Sequence, residues 1–173
     1  MSWGLLLLVA AALLAGFLGW GAWLLRRNLG GSLQRLALVD PGQIPALAEE
    51  CRRTVRERLK VDLDPRDPDG AARALDEFVL SGRLRPLFGV VGYEMRYAEP
   101  VGAYLGELIR RHADAEWVDD PLGPRLVVRT SDGSTDVHPF LLATRHHTHG
   151  TPGQLHAYVM DLIAASEDTG PDA

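Results

Sequence analysis

Cysteine and lysine are almost missing from this chain of 173 residues. A single cysteine, Cys51, excludes a framework of intramolecular disulfides and agrees with a reducing compartment. Lys60 is the only lysine among the 18 basic residues, which is typical of a GC-rich bacterial genome and says nothing about function. The net charge of −5 argues against nucleic-acid binding, which requires a basic surface.

The sequence also lacks the short motifs that indicate catalysis or cofactor binding. It contains no GxSxG motif, and the glycines at positions 89, 92, 102 and 106 form neither GxGxxG nor a Walker loop. Neither a CxxC nor an HExxH pattern is present to hold a metal. We therefore expect no cofactor, and we favour a protein that is not an enzyme.

Charged residues are absent from the run of 23 residues between Trp3 and Leu25. As a helix this run is about 34 Å long, enough to cross a hydrocarbon core of about 30 Å. Tryptophans stand near both of its ends, as at membrane interfaces. The alternative is a cleaved signal peptide, but no basic residue precedes the run, and the run exceeds the usual apolar length of such peptides. The sequence therefore predicts a transmembrane helix over residues 3–25.

The basic residues that flank this run predict its orientation. Only the α-amino group precedes it, whereas Arg26, Arg27 and Arg35 follow it. Because the positive side of a membrane helix stays inside the cell, we expect a single-pass cell-membrane protein whose C-terminal domain is cytoplasmic.

Small residues recur every four positions within the run, at Ala11, Ala15 and Gly19. Such a stripe lets two membrane helices approach closely, so a homodimer through these residues is one interpretation. The other is that small residues simply fill the span, and we favour it because short patterns of this kind are common.

The rest of the chain is long enough for one domain with its own core. We predict a juxtamembrane linker over residues 26–43, a soluble α+β domain over 44–166 and a disordered tail over 167–173. Apolar residues at helical spacing predict about five helices: Ile44–Lys60, Ala71–Leu80, Pro100–His112, Phe140–Arg145 and a last helix that begins with Thr151 as its cap. Runs of β-branched residues predict a short antiparallel sheet: Glu116–Val118, Leu126–Thr130 and Thr135–His138, with Asp132-Gly133 in a hairpin turn.

Three local features of the predicted helices can be checked directly. Asp69 is expected to help begin the second helix, and Pro100 to lie in the first turn of the third. Gly102 and Gly106 share one face of that third helix, and since each costs about 1 kcal/mol there, we expect a closely packed neighbour. Cys51 lies on the apolar stripe of the first helix, so we expect a buried thiol rather than a nucleophile.

Glu107 is the leading polar candidate for a site, with Tyr104 and Trp117 as companions for a ligand or a partner. Its carboxylate could act as a base or bind a cation of a partner. The alternative, which we favour, is an ordinary helix-face pair with Arg110 or Arg111. A concave pocket lined by Tyr104, Glu107 and Trp117 would indicate ligand binding.

The histidines His146, His147 and His149 form a tight cluster, with His138 and His156 nearby in the sequence. Imidazoles bind Zn²⁺, but adjacent histidines point in different directions on a helix, so a solvated helix end is the interpretation we favour. A metal-dependent enzyme or sensor that uses Glu107 and the His146–His149 segment is nevertheless the alternative function.

Four short pieces occur in a recognisable order between Ala48 and Ala164: Leu75-Asp76, Gly102-Ala103-Tyr104-Leu105-Gly106-Glu107, Trp117, and Pro139-Phe140. In this order and spacing the sequence resembles an uncharacterised bacterial domain family, of the kind catalogued as a domain of unknown function. The resemblance implies a compact α+β domain and supplies no activity, ligand or catalytic residues. Together with the apolar run, it leads us to expect a membrane-anchored, non-catalytic interaction module with the bilayer and an unknown protein as partners.

Overall fold

The structure is a computed structural model that describes residues 39–81 and 93–167, with only the main chain for residues 93–96. The transmembrane helix predicted over residues 3–25, with its stripe at Ala11, Ala15 and Gly19, lies outside these ranges. So do residues 26–38 of the predicted linker and residues 168–173 of the predicted tail. Within the described ranges, no helix combines the length and apolar character needed to cross a membrane.

The described ranges contain five α-helices and one three-stranded antiparallel sheet, which confirms the predicted α+β class. The helices are α1 (Ile44–Leu59), α2 (Pro68–Ser81), α3 (Tyr93–His112), α4 (Pro139–His149) and α5 (Gln154–Glu167). The strands are β1 (Ala115–Val118), β2 (Arg125–Thr130) and β3 (Gly133–Val137). A short 3-10 helix, Pro41–Gln43, leads into α1.

Helix α3 lies at the centre of the helical layer, because α1 and α4 pack on it most extensively. Its buried residues Val101, Leu105, Leu108 and Ile109 are each at most 2% exposed. Helix α1 buries Ile44, Ala48, Cys51 and Val55, a stripe at the expected helical spacing. Cys51 is therefore buried, as predicted, and burial followed by the nearby Glu50 raises the pKa of its thiol.

The sheet has the order β1-β2-β3, and one of its faces joins this core. Leu126 on β2 pairs with Trp117 on β1 and with Val137 on β3, so the three side chains form a row across the sheet. Leu126 and Val137 are buried, and Trp117 is half-buried against the core. The turn between β2 and β3 confirms the predicted hairpin: Thr130 pairs with Gly133, which has φ +131°.

The predicted start of α3 at Pro100 is wrong, because the helix begins at Tyr93 and Pro100 lies in its interior. A proline removes one helical hydrogen bond, which usually favours the first turn. Here Ala98 and Val101 are 5% and 2% exposed on either side of it. We infer that burial of this apolar stretch offsets the lost hydrogen bond.

The start of α2 also differs from the prediction, because Asp67 and not Asp69 caps it. The Asp67 carboxylate accepts a hydrogen bond from Gly70 N at 3.0 Å, and its carbonyl accepts one from Ala71 N. Asp69 lies within the first turn, where it pairs with Arg73 through two hydrogen bonds of 2.9 and 3.1 Å. Two aspartates flank Pro68, and the sequence alone could not distinguish them.

Candidate functional site

Glu107 on α3 and Trp117 on β1 meet in the structure, although ten residues separate them in the chain. The indole Nε1 of Trp117 donates to Glu107 Oε1 at 2.9 Å. Arg110, one helical turn further along α3, donates from Nε to Oε1 at 3.1 Å and from Nη2 to Oε2 at 2.8 Å. Both carboxylate oxygens of Glu107 are therefore engaged, and the favoured pairing of Glu107 with Arg110 is confirmed.

The charge of Glu107 is stabilised by these donors. Partial burial by itself raises the pKa of a carboxyl group, because it disfavours the ionised form. The hydrogen bonds from Arg110 and Trp117 outweigh burial and hold the pKa of Glu107 below its ordinary value. These contacts hold the Glu107 carboxylate in place between α3 and β1.

The glycines of α3 make this arrangement possible. A Cβ atom built on Gly106 would overlap the ring of Trp117, and one built on Gly102 would lie 2.7 Å from Cα of Phe140. Trp117 in turn lies 6.0 Å from Phe140, measured between ring centroids. The prediction of a closely packed neighbour at the two glycines is therefore confirmed, and the neighbours are β1 and the start of α4.

Tyr104 lies one helical turn before Glu107 on α3 and is 3% exposed. Its hydroxyl oxygen is buried and has no hydrogen-bond partner among the described residues. Burial, and next the nearby Cys51, raise the pKa of this phenol above its ordinary value. A buried polar atom left without a partner costs about 1–3 kcal/mol, and His138 Nδ1 is another such atom among the described residues.

A cavity of about 400 Å³ lies between α1 and α3, and both Tyr104 and Glu107 line it. Its charged walls consist of three arginines and two glutamates: Arg52, Arg110, Arg111, Glu49 and Glu107. Trp117 does not line this cavity, so the expected three-residue pocket is formed by only two of its members. Trp117 is connected to the cavity only through its hydrogen bond to Glu107, which lines it.

The arginines of the cavity were not candidates from sequence, where Arg110 and Arg111 appeared only as partners for Glu107. Arg52 donates from Nε to the carbonyl of Leu63 at 3.0 Å and from Nη1 to Glu49 at 2.9 Å. The only indication in the sequence that Arg52 lines a cavity is its position next to Cys51 on α1. Arginines are so common on helix surfaces that this position does not identify a site.

The three clustered histidines lie in different environments in the fold. His146 is 3% exposed, and its Nε2 lies 3.0 Å from Asp76 Oδ1 on α2. The Nδ1 atom of His147 is 3.1 Å from the carbonyl of Val79, whereas His149 is exposed. Among the described residues, no three histidine, cysteine or acidic side chains are gathered as metal ligands.

Asp76 is the important residue that sequence reasoning did not single out by its chemistry. It is 5% exposed and accepts hydrogen bonds from the backbone N–H groups of Gly153 at 2.9 Å and Leu155 at 3.0 Å. These are amides at the start of α5, so a carboxylate of α2 caps another helix. The one sign in the sequence was an acidic residue among the apolar positions of α2.

No family model, curated protein or solved structure matches the chain. The resemblance to an uncharacterised bacterial domain family therefore stays a prediction.

Proposed function

We propose that this chain is a single-pass membrane protein whose folded domain is a non-catalytic interaction module. The apolar run from Trp3 to Leu25 supports the membrane anchor, and the arginines after it support a cytoplasmic domain. An anchor raises the local concentration of the domain at the membrane, so even a weak interface can engage a partner there.

The observation that carries this proposal is the hydrogen-bonded set of Trp117, Glu107 and Arg110 beside the cavity. Since both oxygens of Glu107 accept hydrogen bonds, the carboxylate holds Arg110 in place. Groups that are fixed before binding lose little entropy when a partner arrives. Such a surface is suited to recognition, and Arg111 beside it adds an exposed charge.

Capture of partners by the full chain from native membranes tests this proposal. The chain should recover a partner after crosslinking, and Arg111→Glu should reduce the recovery about tenfold, as expected when a charge important to an interface is reversed. Arg53→Glu is the matched control, because Arg53 is exposed on α1 and does not line the cavity. If the wild-type chain recovers no partner and instead turns over a substrate, the proposal is wrong.

The alternative function, a metal-dependent enzyme or sensor built on Glu107 and the His146–His149 segment, gains no support from the described residues. His146 faces Asp76, His147 faces a backbone carbonyl, and Glu107 is held by Arg110 and Trp117. Elemental analysis of the purified full chain decides between the two functions. Stoichiometric metal that is lost when His147 and His149 are replaced by alanine would support the alternative.

A further inference from the structure

The charges that line the α1–α3 cavity do not cancel. Glu49 accepts a hydrogen bond from Arg52, and Glu107 accepts two from Arg110, so each glutamate already has its own arginine. Arg111 is the third arginine of the lining. Asp62, outside the lining, lies 3.8 Å from Arg52 but binds Arg56 more closely, at 2.6 Å. The paired carboxylates therefore leave one excess positive charge, that of Arg111, at the cavity, and this favours an anionic occupant.

Two of the three guanidinium groups are oriented by the protein itself. Arg52 is fixed by the carbonyl of Leu63 and by Glu49, and Arg110 by Glu107. A guanidinium group has five N–H donors, and each of these contacts uses only one or two of them. The remaining donors suit the planar, paired oxygens of a carboxylate or a phosphate, which arginine binds in a bidentate manner.

Tyr104 provides an independent observation on the same cavity. It is more than nine-tenths buried on the cavity wall, and its hydroxyl has no partner among the described residues. The hydroxyl oxygen is itself inaccessible to solvent, so a ligand reaches it only if the cavity wall shifts on binding. The ligand then supplies the missing hydrogen bond, and the cost of leaving the group unpaired is recovered. The cavity of about 400 Å³ lies within the range of small-molecule sites.

From these observations we infer that the cavity between α1 and α3 binds an oxyanion, the carboxylate or phosphate of a ligand. Arg110 and Arg111 bind the anionic group, Arg52 borders it, and the Tyr104 hydroxyl makes a second, buried contact. The inference rests on the proposed function, because the same surface is proposed to contact the protein partner. It specifies the chemistry of that contact. Two sources provide this chemistry, a free small anion and the acidic side chains of a partner protein.

A second cavity, of about 660 Å³ and lined by Asp76, Glu77, Leu80 and His156 among others, does not carry a comparable argument. Its lining is mainly apolar. Asp76 is engaged by two backbone amides, and His156 Nε2 lies 2.8 Å from Asp69. Asp76 and His156, which could orient a ligand there, therefore already have partners in the fold.

Calorimetric titration of the full chain, purified in a non-ionic detergent, tests the inference with three probes: inorganic phosphate, citrate and an acetylated tetraglutamate peptide. At least one probe should bind, and Arg111→Gln should weaken its affinity about tenfold, the effect of losing a charge-assisted hydrogen bond. Tyr104→Phe should weaken it about fivefold, since it deletes only the hydroxyl. Arg53→Gln is the matched control and should leave the affinity unchanged.

The outcomes separate the two sources and the two proposals. Binding of phosphate or citrate in preference to the peptide indicates a free anion, and the reverse indicates acidic side chains of a protein. Failure of all three probes, or equal weakening by Arg53→Gln and Arg111→Gln, overturns the inference. If the probes fail while partner capture still depends on Arg111, only the inference of an oxyanion ligand is wrong. If the probes bind and no partner is captured, only the proposed function is wrong.

Discussion

At the scale of single residues, Gly102 determines how closely α4 approaches α3. The nearest atoms to a Cβ built there are Cδ1, Cα and N of Phe140, so the obstacle is partly backbone and cannot rotate away. The same closeness at Gly106 lets the Trp117 ring lie against α3, from where its indole reaches Glu107. The two glycines thus couple the core packing to the hydrogen bonds of the candidate site.

We expect Gly102→Ala to destabilise the domain although alanine is the better helix former. Alanine gains up to about 1 kcal/mol in helix propensity, but overpacking against a fixed backbone costs about 1–3 kcal/mol, so a net loss of up to about 2 kcal/mol is expected. Denaturant unfolding monitored by circular dichroism measures it. Gly42→Ala is the control, because its nearest neighbour is an Asp40 side-chain oxygen at an ordinary 3.4 Å. A stabilised Gly102→Ala chain would contradict this packing.

Asp69 gives a prediction for pH dependence. The Arg73 guanidinium, and then His156, lower the pKa of Asp69 from its ordinary 3.8 to about 2. A carboxylate with a depressed pKa stabilises the folded state above its unfolded pKa, and this contribution is lost as the pH falls through the folded value. Asp69→Asn should therefore be less stable than wild type at neutral pH, and the two should converge as the pH approaches 2.

Acid titrations of the unfolding midpoint check this convergence. Asp161→Asn, which removes an exposed carboxylate from α5, corrects for the general effect of one negative charge. A difference between Asp69→Asn and wild type that persists unchanged down to pH 2 would show that the ionised carboxylate of Asp69 is not its source.

At the scale of elements, the sequence predicts what depends on local periodicity and misses what depends on distant partners. The apolar stripe of α1 is local, and its expected start at Ile44 and end at Lys60 agree with Ile44–Leu59 to one residue. The start of α5, in contrast, depends on residues that are distant in the sequence. Thr151 N donates to Gln154 Oε1 at 3.1 Å, as a capping box requires, yet the helix begins only at Gln154.

The late start of α5 results from Gly153 and Asp76. Gly153 has φ +80°, which interrupts the helix after Pro152. The first amides of α5 are then capped by Asp76, which is 77 residues away from Gly153 in the chain. The candidate site shows the same limit: the pair of Glu107 with Arg110 follows from helical spacing, whereas the cavity formed with Arg52 of α1 requires the tertiary fold.

We expect Asp76→Asn to destabilise α5 more than it destabilises the other helices of the domain. Asparagine keeps one acceptor, so one of the two N–H groups at the start of α5 loses its partner, and the charge facing His146 is removed. Loss of a cap combined with a buried unpaired donor costs about 2 kcal/mol. Unfolding measurements give the total, and hydrogen exchange should show faster exchange of the α5 amides.

Glu77→Gln is the control for Asp76→Asn, since Glu77 is adjacent on α2 but exposed. Its effect should stay within about 0.5 kcal/mol, as for ordinary surface substitutions. Equal effects of the two substitutions would mean that Asp76 does not cap α5.

At the scale of the whole molecule, membrane attachment and recognition are proposed for different parts of the chain. The apolar run carries no charge, whereas the rest of the chain carries all 18 basic and 23 acidic residues. Each part can therefore be altered while the other is left intact. Substitutions in the cavity should change partner capture without changing membrane attachment, and charges placed in the apolar run should do the opposite.

Replacing Leu13 and Leu14 by arginine tests the membrane anchor. Each arginine near the centre of a membrane helix costs about 2.5–3.5 kcal/mol of insertion free energy, so the double variant should leave the membrane fraction. The wild-type chain should stay in the pellet after an alkaline carbonate wash. Leu33→Arg with Leu36→Arg, which adds the same charge in the predicted linker, should leave the chain in the pellet. A mature wild-type chain that begins after Trp23 and is recovered in the soluble fraction would instead identify the run as a cleaved signal peptide, because only cleavage removes the segment while leaving the domain intact.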